Sequence, residues 1–154
     1  MRIILVCVGR LRGPPFADDV AHYERLLSRR VRLETREIRE GGGGASRKAE
    51  NLAREAEAIL TRVPPGAFLS ALDREGEGLT SAGLADWLEQ RRRAGRDLCF
   101  VIGGAFGLDS SVLERVEQRL SLGPLTLQHE LARVVLLEQL FRAHKILANE
   151  PYHY

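Results

Sequence analysis

The order of apolar and amphipathic stretches predicts an α/β fold: an open, mostly parallel sheet of about five strands with helices on both faces. Three observations carry this. Short apolar runs alternate with stretches of helical periodicity, in the order β-α-β-α-β-α-β-α-β-α. Two runs, RIILVCV at 2–8 and DLCFVIGG at 97–104, are apolar almost throughout, as strands covered on both faces are. Glycine or proline turns follow several runs, at the strand ends where such sheets bind ligands.

Each element has its own reason. Residues 2–8 are closed by Gly9 and read as a buried strand. A helix over 17–29 places Val20, Tyr23, Leu26 and Leu27 on one face. Residues 31–38 alternate apolar and polar from Val31 to Thr35, the pattern of a half-buried strand. The four glycines at 41–44 are too costly for an element interior and predict a mobile loop. No Gly-Lys-Ser/Thr follows them, so this is not a Walker loop. Leu52, Ala56, Ile59 and Leu60 predict a helix over 48–62, ended by Pro64-Pro65-Gly66. AFLSALD, 67–73, reads as a third strand broken by REGEG. Ser81 is placed to cap a helix to about 93. Residues 97–104 form the fourth strand, and Ser111 with Glu114 suggests a capping box for a helix to about 119. In LSLGPLTL, 120–127, Pro124 cannot serve a central ladder, so a strand stub and an ordered loop are expected. A long helix covers 129–149.

With 154 residues and 44% hydrophobic content, one domain spanning 1–154 with a substantial core is expected. No apolar run approaches the roughly 20 residues that cross a bilayer. The apolar start is too short for a signal-peptide core, so the expected compartment is the cytoplasm. Cys7 and Cys99 sit in strand-like runs without CxxC or metal spacing and read as core residues. Net charge is only +2, but 21 of 23 basic residues are Arg. A GC-rich genome produces that bias. The clusters Arg10/Arg12, Arg29/Arg30/Arg32 and Arg91/Arg92/Arg93/Arg96 are candidate phosphate patches or solvated faces.

The first strand-to-helix turn, VGRLRGPP, lacks the G-x-G-x-x-G dinucleotide fingerprint. That counts against a nucleotide oxidoreductase or another nucleotide-binding α/β enzyme. The glycine turn comes late, as GGAFG at 103–107, with LGPL close behind. Gly103, Gly104 and Gly107 would let a ligand lie against bare backbone. The loop at 122–127 could grip an adenine edge between walls of Leu122, Leu125 and Leu127. In the last helix, eight of the eleven positions from 131 to 141 are apolar. A surface helix needs one stripe, so one face is expected on the sheet and the other on a symmetric partner. Glu138 and Arg142 are spaced to pair, or Arg142 is free to hold a phosphate.

FVIGGAFGLD, LSLGPLTL and HELARVVLLEQLFRAHKILANEPYHY, with the VCVGRLR start and SALDREGEGLTS between, resemble the RlmH (YbeA-type) group of SPOUT methyltransferases over the full length. The resemblance implies an α/β trefoil knot, in which the C-terminal segment threads a loop. It also implies S-adenosylmethionine as methyl donor, no metal, and an obligate homodimer joined through the C-terminal helix. The product would be 3-methylpseudouridine at position 1915 of 23S rRNA, made on assembled ribosomes. Neither membrane nor DNA is an expected partner. Carried onto this chain, the cofactor contacts are Leu72, Gly103, its neighbour Gly104, and Leu122, Gly123, Pro124, Leu125, Thr126 and Leu127. Many relatives have Pro where this chain has Gln128, and the glycines at 41–44 are atypical.

Removing the N3 proton of pseudouridine needs a proton acceptor, or a cation that stabilises the deprotonated base. The candidates are His129, Arg142, Tyr152 and His153. His129 is either a helix cap or catalytic. Tyr152 could stack on a base or donate a hydrogen bond, and His153, as an imidazole, could accept a proton; the alternative for both is a frayed tail. The alternatives are a non-catalytic knotted RNA-binding dimer, or a SPOUT enzyme with another RNA target.

Overall fold

The computed structural model describes residues 1–152. Five strands form one wholly parallel sheet: β1 (Arg2–Val8), β2 (Arg32–Ile38), β3 (Phe68–Gly78), β4 (Leu98–Ile102) and β5 (Gln118–Ser121), in the order β2-β1-β4-β3-β5. Five helices connect and follow them: α1 (Ala17–Ser28), α2 (Lys48–Arg62), α3 (Ser81–Arg93), the single turn α4 (Ser110–Leu113) and α5 (His129–Leu147). The predicted α/β class and the two-sided cover hold.

The two-residue period of a strand sorts β1 between two cores. Ile3, Leu5 and Cys7 join the layer of α1, α3 and α5, with Leu27, Leu88, Leu136 and Leu140. Ile4, Val6 and Val8 meet the α2 and α4 layer, with Ala56, Ile59 and Val112. β4 divides in the same way, Phe100 to one side and Val101 to the other. That double cover is why these runs are continuously apolar. Both cysteines are free and buried, as read from the sequence. Burial pushes each thiol up to about 12.

Four expectations need correction. REGEG does not end β3, which continues to Gly78 and pairs with β5 across an irregularity between Leu72 and Glu77. There Gly76 approaches so closely that a Cβ would lie 2.6 Å from the Arg119 carbonyl carbon. The helix expected from Ser111 to about Arg119 lasts one turn, because Gln118–Ser121 is recruited as the edge strand. Asp109 caps that turn by accepting from the Ser111 amide at 2.9 Å, and Thr80, not Ser81, caps α3. The glycine loop is anchored: the Gly41 amide donates to Glu55 at 2.9 Å, and Asn51 Nδ2 donates to the Gly42 carbonyl at 2.8 Å. A Cβ on Gly41 would meet Asn51 at 2.2 Å, so glycine is needed there for close approach.

α5 packs between α1 and α3 above β4. Three sides of it are covered within the chain, which explains most of its apolar circumference. Ala132, Leu136, Leu137, Leu140, Phe141 and Ala143 are buried, and Leu131, Val134 and Val135 stay half-buried. Arg133 is 5% exposed and bridges Glu37 of β2 at 2.7 Å and Glu24 of α1 at 3.2 Å. Glu24 also accepts from Thr35 at 2.8 Å, so one charged knot ties α5, α1 and β2.

Leu140 lies where α5 meets that core and is wholly buried. Leu140→Ala should cost about 3 kcal/mol in urea unfolding. A loss below about 1 kcal/mol would show that the layer closes over the gap.

A candidate ligand cleft at the carboxyl edge of the sheet

The position of His129 shapes the site. Its ring packs on Gly9, just after β1: a Cβ on Gly9 would lie 2.6 Å from Nε2. Gly9 has φ +95°, so a side chain there would be both strained and blocked. The Arg12 amide donates to Glu130 at 3.3 Å, fixing the start of α5 beside the same loop. β5, by contrast, lies at the far edge, beyond β4 and β3. Three strand spacings are about 14 Å. Seven extended residues reach about 23 Å. Residues 122–128 therefore cross the carboxyl ends of β3 and β4 with slack, and the slack forms a loop over a cleft.

That cleft measures about 870 Å³. Leu72 of β3, Ile102 at the end of β4, the turn from Gly103 to Leu108, and Leu122, Leu125, Thr126, Leu127, Gln128, His129 and Ala132 line it. The structure thus gathers three segments that are distant in sequence and that the sequence singled out: Leu72, Gly103/Gly104 and the loop after β5. Gly123 and Pro124 belong to that loop without lining the cleft. Gly123 serves by its φ of +125°. His129 is the first residue of α5; Gln128 occupies the cap position and its side chain makes no capping bond. The helix-cap reading of His129 is corrected, and its ring borders the cleft.

The glycine turn is tight for a geometric reason. Gly107 N–H donates to the Gly104 carbonyl at 3.1 Å. A Cβ on Gly103 would lie 2.6 Å from the Gly107 carbonyl oxygen, and one on Gly104 would lie 2.9 Å from Glu40 Oε1. Glu40 accepts the Ala105 amide at 3.0 Å and so clamps the turn from outside. The crossing loop is stitched to β3. Arg74 donates to Thr126 Oγ1 at 3.1 Å, and the Ser121 hydroxyl donates to the Arg74 carbonyl at 3.0 Å while accepting from Gly123 N–H at 3.1 Å. Sequence reasoning missed Glu40, Arg74 and Ser121. No local pattern marks a clamp whose partner lies 65 or 52 residues away.

Arg142 and Tyr152 sit elsewhere. α5 starts at the carboxyl edge and runs back toward the amino ends of the strands, where Glu150 meets Arg30 at the end of α1. At 1.5 Å per residue, Arg142 lies about 20 Å along the helix from His129. It is engaged rather than free: Glu138 holds it at 2.6 Å, it donates to the Tyr152 carbonyl at 3.1 Å, and it lies 4.7 Å from the Tyr152 ring centroid. Tyr152 packs edge-on to Phe141 at 5.1 Å. Burial, chiefly, pushes its phenol up to about 12, so at neutral pH it is a donor and a stacking ring. His153 falls outside the described residues. Two of the arginine clusters also lie at the amino ends. Arg92 and Arg93 pair with Glu89, Arg96 with Glu117 and Arg30 with Glu150. Arg10 and Arg12 follow β1 and share the carboxyl edge with the cleft.

Glu150 anchors the tail. Arg30 first, and Lys145 with it, hold its carboxyl down at about 2. A depressed carboxyl pKa means that the anchorage is complete above the unfolded value near 4.5 and is lost as pH falls toward 2. Tyr152 ring resonances should therefore move toward exposed values on acidification through that window. Glu150→Gln should move them already at neutral pH, with the core unchanged. Unmoved resonances in that variant would show that the tail is held by Tyr152 packing alone.

Comparison with known proteins agrees with this construction. The model of a family described as predicted SPOUT methyltransferase matches residues 1–153. A protein of Solidesulfovibrio magneticus named ribosomal RNA large subunit methyltransferase H is 46% identical over 151 residues, covering 97% of each chain. Proteins of the same name from Nitratidesulfovibrio vulgaris and Gloeobacter violaceus are 42% and 43% identical, covering 97% and 100% of this chain and 96% and 99% of theirs. A solved structure described as a probable methylase family protein from Haemophilus influenzae shares the fold with a TM-score of 0.56 at 12% identity, over 99% of this chain and 70% of that one. This chain belongs to the SPOUT methyltransferase family, beside the relatives just named.

Proposed function

We propose that the protein methylates N3 of pseudouridine 1915 in 23S rRNA, with S-adenosylmethionine as donor, on assembled ribosomes in the cytoplasm. The observation that carries this is the cleft itself. Its walls are the segments that the resemblance assigns to the cofactor: Leu72, the Gly103 turn and the loop of residues 122–127. The fit is chemical as well as positional. Leu72, Leu122 and Leu127 offer apolar walls, and Gly103 and Gly104 bring backbone to the wall with no side chain of their own. S-adenosylmethionine supplies an electrophilic methyl group on a sulfonium. The chain's own residues align the acceptor base and handle its proton. His129 borders the cleft and is placed to accept that proton. Arg142 would stabilise the deprotonated base.

Arg142 cannot do so from its own chain, given about 20 Å of helix between it and His129. We assign it to the partner of a symmetric homodimer. With the half-buried stripe of Leu131, Val134 and Val135 laid antiparallel on the partner's stripe, the tail of one subunit meets the cleft of the other. The C-terminal segment would thread the family's knot.

Nucleoside mass spectrometry of 23S rRNA from cells with and without this gene tests the target. Loss of 3-methylpseudouridine is expected, and an unchanged level would mean another RNA. Calorimetry tests the class: no binding at millimolar S-adenosylmethionine would favour a non-catalytic RNA-binding dimer. Subunit mixing tests the shared site. Gly103→Ala sets a Cβ against the Gly107 backbone and should weaken donor binding about tenfold or more. Mixed with inactive Arg142→Ala, it should regain up to about a quarter of wild-type activity, because half of random dimers are mixed and each holds one intact site. No recovery on mixing would place both residues in one subunit's site.

A further inference from the structure

Among the described residues, three large apolar side chains are exposed: Phe106 at 42%, Leu125 at 75% and Leu147 at 39%. Two of them, Phe106 and Leu125, line the one cleft described above. Phe106 stands at the tip of the glycine turn, with the Lys48 ammonium 5.6 Å from its ring centroid. Lys48 also lines the cleft. Of the two lysines, Lys145 is paired with Glu150, whereas Lys48 has no ion pair among the described residues. Among the rim's other charges, Glu75 has no ion pair among the described residues, and three are held in place. Glu40 holds the Ala105 amide, Arg74 holds Thr126, and Asp73 meets Arg119 at 3.4 Å. An exposed ring held rigidly by a clamped turn, beside an unpaired cation, has the two parts that a single-stranded nucleotide needs: a stacking surface and a phosphate partner.

Resting on the methyltransferase reading, we propose that Phe106 and Lys48 form a platform for a nucleotide flanking the target. Its base stacks on Phe106 and its phosphate meets Lys48. Glu40, through Ala105, is a positioning residue for the ring. The adenine of the methyl donor could use the same ring, and the measurements separate the two.

Phe106→Ala, Phe106→Trp and Lys48→Ala are compared with wild type for S-adenosylmethionine affinity by calorimetry and for ribosome methylation. Phe106→Ala should raise KM for ribosomes about tenfold, with kcat and donor affinity within about twofold, and Phe106→Trp should restore KM. Lys48→Ala should reduce the slope of log affinity against log salt by about one. A weakened donor affinity with unchanged KM would give the ring to adenine and overturn the platform. Unchanged values throughout would do the same. If the wild-type protein binds no S-adenosylmethionine, the methyltransferase reading fails separately. The platform is then judged by a fluorescent single-stranded oligoribonucleotide, whose affinity must fall about tenfold in Phe106→Ala. No binding to the wild type, or no fall in the variant, sinks it.

Discussion

The contact between His129 and Gly9 constrains everything at the carboxyl edge. It pins the start of α5 above the end of β1, although the strand before it, β5, lies at the opposite edge of β3. The intervening residues have no choice but to cross β3 and β4. A crossing made of regular structure would fill the edge. Gly123 and Pro124 prevent that, one by a positive φ and the other by having no amide hydrogen to give a ladder. The cleft is therefore a consequence of connectivity, and its walls are whatever ends beneath the crossing: Leu72, Ile102 and the turn at Gly103.

The same placement of α5 divides the molecule's charge. Because every strand is parallel, all helix-to-strand junctions fall at one end, and there most arginines are matched by carboxylates: Arg2 with Asp97, Arg30 with Glu150, Arg96 with Glu117. These exposed pairs contribute little stability each. Their effect is to leave that end without a concentrated positive field. The carboxyl edge keeps Arg10, Arg12, Lys48 and Arg74 outside ion pairs among the described residues, although the net charge is only +2. Carboxylates share that edge, since Glu40, Asp73 and Glu75 line the cleft with Lys48 and Arg74, so any anion contact there is local to a single cation and not the work of a broad positive field.

The sequence made the sheet legible because β1 and β4 carry their environment in composition. Residues buried on both faces leave no polar alternation to misread. It was less informative where two local signals competed. Ser111 and Glu114 form a plausible capping box, yet Gln118 bonds Trp87 and Glu77 across the sheet edge, and tertiary pairing ended the helix after one turn. The glycine run read as mobile because its anchors, Glu55 and Asn51, are polar residues on a helix that shows its role by its apolar face. Site positions were legible wherever backbone freedom was the requirement, as at Gly103. They were illegible where a side chain reached across the fold, as from Arg74 to Thr126. The apolar girth of α5 argued for a partner. Its burial between α1 and α3 accounts for most of that girth, so the case for a dimer now rests on the distance between Arg142 and the cleft.

That distance gives the tail its meaning. A C-terminal segment is ordinarily free to fray, and binding through a frayed segment costs ordering entropy each time. Here Glu150 is gripped by Arg30 and Lys145, the Tyr152 ring is wedged against Phe141, and Arg142 holds the Tyr152 carbonyl. Residues 150–152 are thus held by contacts within the chain, with no need of a ligand or second subunit. Arg142 is held in the same arrangement, by Glu138 and by the ring it lies over. A group so fixed at the wrong end of its own chain does nothing for its own cleft. In the proposed antiparallel dimer the same rigidity becomes an advantage, because the cation reaches the partner's site already oriented and loses little freedom in binding.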